Sequence, residues 1–166
     1  MAQEPEVLQR VGVDYLAIPK TVTMETIDQV VEQEFPRLFR WLESHQVKPT
    51  GAPFIRYLVI DMMQDLEIEL AVGVDQPVET DDVVRSGSLP GGEYVVLRHT
   101  GTYEGLLADN GRLLDWAGAR DIEFDKTSTP QGDAWAGRIE SYVVGGQSEP
   151  DPNKWQTDIA MKTRTS

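Results

Sequence analysis

The run Leu66-Glu67-Ile68-Glu69-Leu70-Ala71-Val72 alternates apolar and acidic residues. A period of two is that of a strand, with Leu66, Ile68, Leu70 and Val72 on one face. Phe54 to Asp61, apolar and aromatic, predicts a partner strand, and Met62 to Asp65 between them is short enough for a hairpin. Val7 to Ile18 reads as an earlier strand, strongest at Tyr15 to Ile18. Between these lies a helical pattern: Met24, Ile27, Val30 and Val31, then Leu38, Phe39, Trp41 and Leu42, behind Thr23 as N-cap. Pro36 lacks a backbone donor and predicts a kink or restart near Glu34 and Phe35. Lys48-Pro49-Thr50-Gly51 marks the stop.

The second half repeats the order without repeating the sequence. Asp75 to Ser88 is polar and turn-rich, Val83-Val84 aside, and reads as a surface crossover. Tyr94 to Thr100 predicts a strand, and Tyr103 to Gly118 a helix with Leu106, Leu107, Leu113, Leu114 and Trp116 on its apolar face. Ala134 to Val144 and Trp155 to Met161 predict two last strands around a loop containing Pro150 and Pro152. The sum is β-α-β-β-β-α-β-β, or two β-α-β-β units of an α+β protein with antiparallel sheets. Two such units can pair about a pseudo-twofold axis, with a cleft between the helices.

Composition narrows the class. The chain has 166 residues, 40% hydrophobic and 26% charged, which suits a single domain over residues 1–166. It has no cysteine, which removes disulfides and thiolate metal sites. No apolar run approaches a membrane span, and the N-terminal run Met1 to Glu6 is acidic where a signal peptide is basic, so no membrane and a cytoplasmic location are expected. A net charge of −13 opposes direct nucleic-acid binding, which depends on neutralising phosphates. An acidic surface favours cationic ligands or a basic partner, although solubility is the better account of it.

One segment is more specific. Leu89-Pro90-Gly91-Gly92-Glu93-Tyr94, a strand, and His99-Thr100-Gly101-Thr102-Tyr103-Glu104-Gly105-Leu106 resemble the signature of the GyrI-like, or AraC-effector-binding, domain. Gly51-Ala52-Pro53-Phe54, Leu114-Asp115-Trp116 and Glu140-Ser141-Tyr142 resemble further elements of that family in the same order. Thr102 departs from it, since Pro is common there. The resemblance implies the two-unit fold and a stand-alone small-molecule-binding domain with a glutamate at the floor of an aromatic-lined pocket. Its ligands would be lipophilic, aromatic or cationic compounds, bound for sequestration or sensing.

On strand parity Arg138, Glu140 and Tyr142 share a face. A partly desolvated carboxylate attracts a cation strongly, and aromatic faces add to it. Tyr57, Tyr94, Tyr103, Trp116, Trp135 and Tyr142 are the candidate walls, with Glu67 and Glu140 as candidate charges. Each has a plainer reading: Trp116 as core, Tyr94 as a half-buried strand residue, Tyr103 as helix-start packing, Glu67 and Glu69 as a solvated strand face. If Arg138 reaches Glu140, the pair neutralises itself and the preference for cations falls.

Catalytic motifs are scarce. Ser86-Gly87-Ser88 lacks the setting of a nucleophile elbow, and His45 and His99 are not at metal-ligand spacing, so no metal is expected. The resemblance implies one enzymatic alternative, a hydrolase opening cyclopropane-containing genotoxic natural products. Glu140 would then activate water and Tyr142 stabilise the oxyanion. The resemblance also admits a further alternative, a protein partner such as gyrase or a transcription regulator. No cofactor is expected; His99 is the one histidine near the signature available to haem.

Overall fold

The described residues 3–61, 63–146 and 148–164 of a computed structural model form ten strands, two helices and two short 3-10 turns. Their order is β1 (Glu6–Arg10), β2 (Val13–Val22), α1 (Ile27–Ser44), β3 (Thr50–Ile60), β4 (Leu66–Gly73), β5 (Arg85–Leu89), β6 (Gly92–Thr100), α2 (Leu106–Gly118), β7 (Lys126–Thr129), β8 (Gly132–Trp135), β9 (Arg138–Val144) and β10 (Gln156–Lys162). Met62, in the expected turn, lies outside the described residues, as do Met1 and Ala2.

Antiparallel pairing joins the strands into one sheet in the order β1-β6-β10-β9-β3-β4-β2-β5, with β7 and β8 attached to β3 through β8. The expected α+β class is what the chain adopts. β2-α1-β3-β4 places its strands in the order β2-β4-β3, and β6-α2-β9-β10 in the equivalent order β6-β10-β9. The two units meet where Phe54, Ile55 and Arg56 of β3 pair with Ser141, Glu140 and Ile139 of β9.

Both helices cover the same face. The even-numbered apolar residues of β4 take α1, whose Phe35, Leu38, Trp41 and Leu42 pack on Leu66, Ile68 and Leu70. α2 lays Leu113 and Ala117 inward, with Leu113 among Val95, Leu97, Ile159 and Met161. A fully buried side chain of this kind contributes about 1.5–3 kcal/mol. On the other face Tyr15, Ala17 and Ala71 share a cluster with Tyr94, Val96 and Ala160. Strands far apart in the sheet order meet there, so the sheet curls around that cluster.

Several boundaries differ from the pattern. The first predicted strand is two: β1 pairs with β6 and β2 with β4 and β5. The break falls at Gly12, where an added Cβ would lie 3.0 Å from the Leu89 carbonyl oxygen. The crossover contains β5, an edge strand held by backbone bonds to β2 and carrying little alternation to announce it. Ala134 to Val144 also divides, at Gly137, which fits only because Tyr94 Oη would otherwise meet its Cβ at 2.5 Å. α1 runs unbroken through Pro36, which faces solvent together with Glu32, so water can satisfy the carbonyl it frees. Thr23 caps the turn before α1 rather than α1 itself: its Oγ1 accepts from Thr26 N at 3.2 Å. Glu69 is not solvated; it is 3% exposed and accepts from Tyr15 Oη and Arg85 Nε.

Candidate ligand-binding cleft

A cavity of about 810 Å³ opens between α1 and the start of α2, with β3 and β9 as its floor. That volume suits one drug-sized molecule. Strand parity brings Arg138, Glu140 and Tyr142 of β9 into it together. On β3 the geometry is less regular. Tyr57 pairs with Ile68 but Val59 with Glu67, so Leu58 is an extra residue. This bulge resets the alternation and puts Tyr57 and Ile60 on the cleft side.

Glu140 is the chemical centre. It is 6% exposed and opposite Ile55 of β3. Tyr57 Oη donates to its Oε1 at 2.7 Å, and Asn110 Nδ2 donates to its Oε2 at 3.0 Å. The Asn110 amide also donates to the Leu106 carbonyl at 2.8 Å, one turn back on α2. Its Oδ1 accepts from Arg138 Nη2 at 3.1 Å. Arg138 lies over Trp135, its Cζ 4.4 Å from the ring centre. Among the described residues Arg138 makes no ion pair with Glu140; Asn110 stands between them. The direct ion pair that parity allows does not form, although the Glu140 charge still acts on Arg138 across the amide.

The walls are aromatic. Tyr142 meets Phe35 edge-on at 6.0 Å and Tyr103 at 5.6 Å, so it links the α1 side to the α2 side. Tyr103 in turn lies 5.0 Å from Trp155. Burial, then the neighbouring Glu140 charge, pushes the Tyr57 and Tyr142 phenols well above the usual range, so both remain protonated donors. Asp28, Glu32 and Glu104 add acidic groups to the lining, where Arg138 is the one cation.

The signature segment supplies a wall by anchoring it. His99 is 7% exposed; its Nδ1 lies 2.7 Å from Asp109 Oδ2 and its Nε2 2.6 Å from the Thr102 carbonyl oxygen. A carbonyl only accepts, so Nε2 carries a proton. Asp109 loses some carboxylate basicity despite desolvation, because His99 and Arg112 bond to it. Gly101, at φ +121°, turns the chain and donates to the Trp155 carbonyl at 2.8 Å. These ties fix Thr102, and with it Tyr103.

Of the eight candidates, Tyr57, Tyr103, Glu140 and Tyr142 line the cleft. The other four lie elsewhere. Glu67 is exposed, paired with Thr21 and Val59 on the face away from α1. Tyr94 is fully buried inside the curl, donating to the Pro90 carbonyl at 2.6 Å. Trp116 packs with the α2 cluster, and Arg120 lies 3.9 Å above its ring. Trp135 sits behind the cleft, between Lys126 and Arg138. The pattern missed Asn110 and the stacked pair Phe35 and Phe39. Asn110 had a signal: a poor helix former on an apolar helix face, one turn from Leu106, needs a partner.

No curated protein matches the chain. Solved structures match in fold. EcmrR in its DNA complex has 14% identity and a TM-score of 0.77, over 98% of this chain and 58% of that one. The chain thus spans little more than half of that protein. SAV2435 bound to tetraphenylphosphonium has 14% identity and a TM-score of 0.64, over 98% and 94%. A hydrolase from Listeria innocua has 11% identity and a TM-score of 0.61, over 98% and 93%. The model of the GyrI-like small molecule binding domain matches residues 3–128, a span that includes Tyr57, Tyr103 and Asn110 and stops before Glu140. The chain belongs to the family of GyrI-like small molecule binding domains.

Proposed function

We propose that the protein binds lipophilic aromatic cations in this cleft, for sequestration or sensing, with Glu140 as the counter-charge. The observation that carries this reading is a buried carboxylate, free of any ion pair among the described residues, at the floor of an aromatic cavity. Tyr57 and Asn110 orient both oxygens and leave lone pairs for a ligand. Tyr103, Tyr142 and Phe35 offer ring faces and edges to a flat or multi-ring cation. Asp28, Glu32 and Glu104 bias the lining the same way.

The test uses tetraphenylphosphonium and quenching of tryptophan fluorescence, since Trp155 abuts the Tyr103 wall. Glu140→Gln keeps the shape and removes the charge. A desolvated charge contact of about 1.5–3 kcal/mol corresponds to a loss of roughly tenfold to a hundredfold in affinity. Equal affinity in wild type and variant would reject the role of Glu140.

A hydrolytic use of the same site has one observation in its favour. Glu140 and Tyr142 line the same cavity, two residues apart on β9, which suits water activation by the one and oxyanion support by the other. Incubation with a cyclopropane-containing alkylating natural product, read by mass spectrometry, separates the two readings. Ring-opened product lost in Glu140→Gln supports hydrolysis, and intact compound throughout supports binding alone.

A further inference from the structure

Arg138 puts a guanidinium into a cleft whose other charged lining groups are all acidic. A guanidinium has five N–H donors in a rigid fork. Among the described residues, Arg138 uses Nη2 on Asn110, holds its Cζ 4.4 Å from the centre of the Trp135 ring, and forms no ion pair with a carboxylate. Removing such a group from water without a contacting counter-ion is costly, and here desolvation, only partly offset by the nearby Tyr57, Glu140 and Asp133, lowers its proton affinity below the usual value. Positioning Asn110 needs one donor only. The remaining donors belong to a side chain that lines the cavity and have no hydrogen-bond partner among the described residues.

We propose that Arg138 is an anchor for a carboxylate on the ligand, so that the cleft selects zwitterionic aromatic compounds over simple aromatic cations. This rests on the cleft-binding reading above and adds a second recognition point to it. Glu140 takes the cationic end and Arg138 the anionic end. Residues two apart on a strand stand about 7 Å from one another, which sets the scale for the separation of the two ligand charges. Asn110, bonded to both side chains, keeps them from closing into a contact ion pair before a ligand arrives. A planar guanidinium suits a carboxylate because the pair can form two parallel hydrogen bonds.

The proposal and a purely acidic cleft predict opposite rankings for one matched pair of dyes. Rhodamine B is a zwitterion near neutral pH, whereas its ethyl ester is a cation only. Fluorescence polarisation on the wild-type protein should show the acid binding about tenfold tighter than the ester, the scale of one charge-assisted pair. Arg138→Met should erase or reverse that preference. Arg138→Lys, which keeps the charge but not the fork, should retain part of it. Wild-type protein that prefers the ester, or binds both equally, overturns the proposal and leaves cation binding standing. An Arg138→Met protein that still prefers the acid also overturns it. Failure of both dyes to bind wild-type protein removes this proposal together with the cleft-binding reading. The wild-type comparison needs no variant, so a folding defect in either substitution does not obscure the result.

Discussion

Gly105→Ala measures how tightly the signature segment is held. Gly105 has right-handed helical backbone angles, φ −83° and ψ −6°, which alanine adopts freely. Propensity alone would therefore make the variant more stable by up to about 1 kcal/mol. The surroundings decide otherwise. A Cβ at this position would lie 2.5 Å from His99 Cε1 and 3.3 Å from its Nε2. The ring has nowhere to swing, because Asp109 holds Nδ1 and the Thr102 carbonyl holds Nε2. If the ring moves, a charge-assisted bond of about 1.5–3 kcal/mol is lost. If the backbone moves instead, overpacking costs about 1–3 kcal/mol. Subtracting a propensity gain of about 1 kcal/mol from the lost bond leaves a net loss of about 0.5–2 kcal/mol. Gly111 is the internal control: it lies within α2, and a Cβ there meets nothing within 4 Å. Gly111→Ala should stabilise by about 0.5–1 kcal/mol. Urea denaturation of both variants beside wild type should give opposite signs. A Gly105→Ala protein at least as stable as wild type would show that His99 is not pinned, and the account of the Tyr103 wall would fail with it.

Two further outcomes follow from single side chains. Tyr57→Phe deletes the donor to Glu140 Oε1 and leaves that buried oxygen without it, so stability should drop by about 1–3 kcal/mol in urea; an unchanged midpoint would mean that water replaces the phenol. Asp81 accepts from Trp41 Nε1 at 2.9 Å and from the backbone of Val84 and Val83, which together hold its carboxyl at about 2, below its ordinary 3.8. Because the folded value is the lower one, its contribution is complete above about pH 4 and fades as pH falls toward about 2. The acid limb of wild-type stability should flatten in Asp81→Asn over that window. Parallel limbs in the two proteins would rule out Asp81 as their source.

What the sequence disclosed depended on how local the deciding contact was. Parity along β9 needs only neighbouring residues, and it correctly put Arg138, Glu140 and Tyr142 on one face. The alternation of β4 was equally plain, because its outward residues include two glutamates, although Glu69 turned out to be buried by Tyr15 and Arg85 from other strands. In the curled sheet both faces are covered around β6, so apolar residues occupy both parities, and an aromatic such as Tyr94 carries no mark of which side it serves. The break at Gly12 and the bend at Gly137 arise from backbone or ring atoms of remote segments, Leu89 and Tyr94, and nothing in the local pattern announces them. The most consequential case is the pair Arg138 and Glu140. Their identities and shared face were legible, and parity alone leaves open whether the two pair. Asn110, contributed by α2 from 28 residues before Arg138 and 30 before Glu140, bonds to both and holds them apart. A neutral amide in that position changes what the cleft can bind: two separate charges facing one cavity recognise a dipolar molecule, where a closed ion pair would recognise neither end.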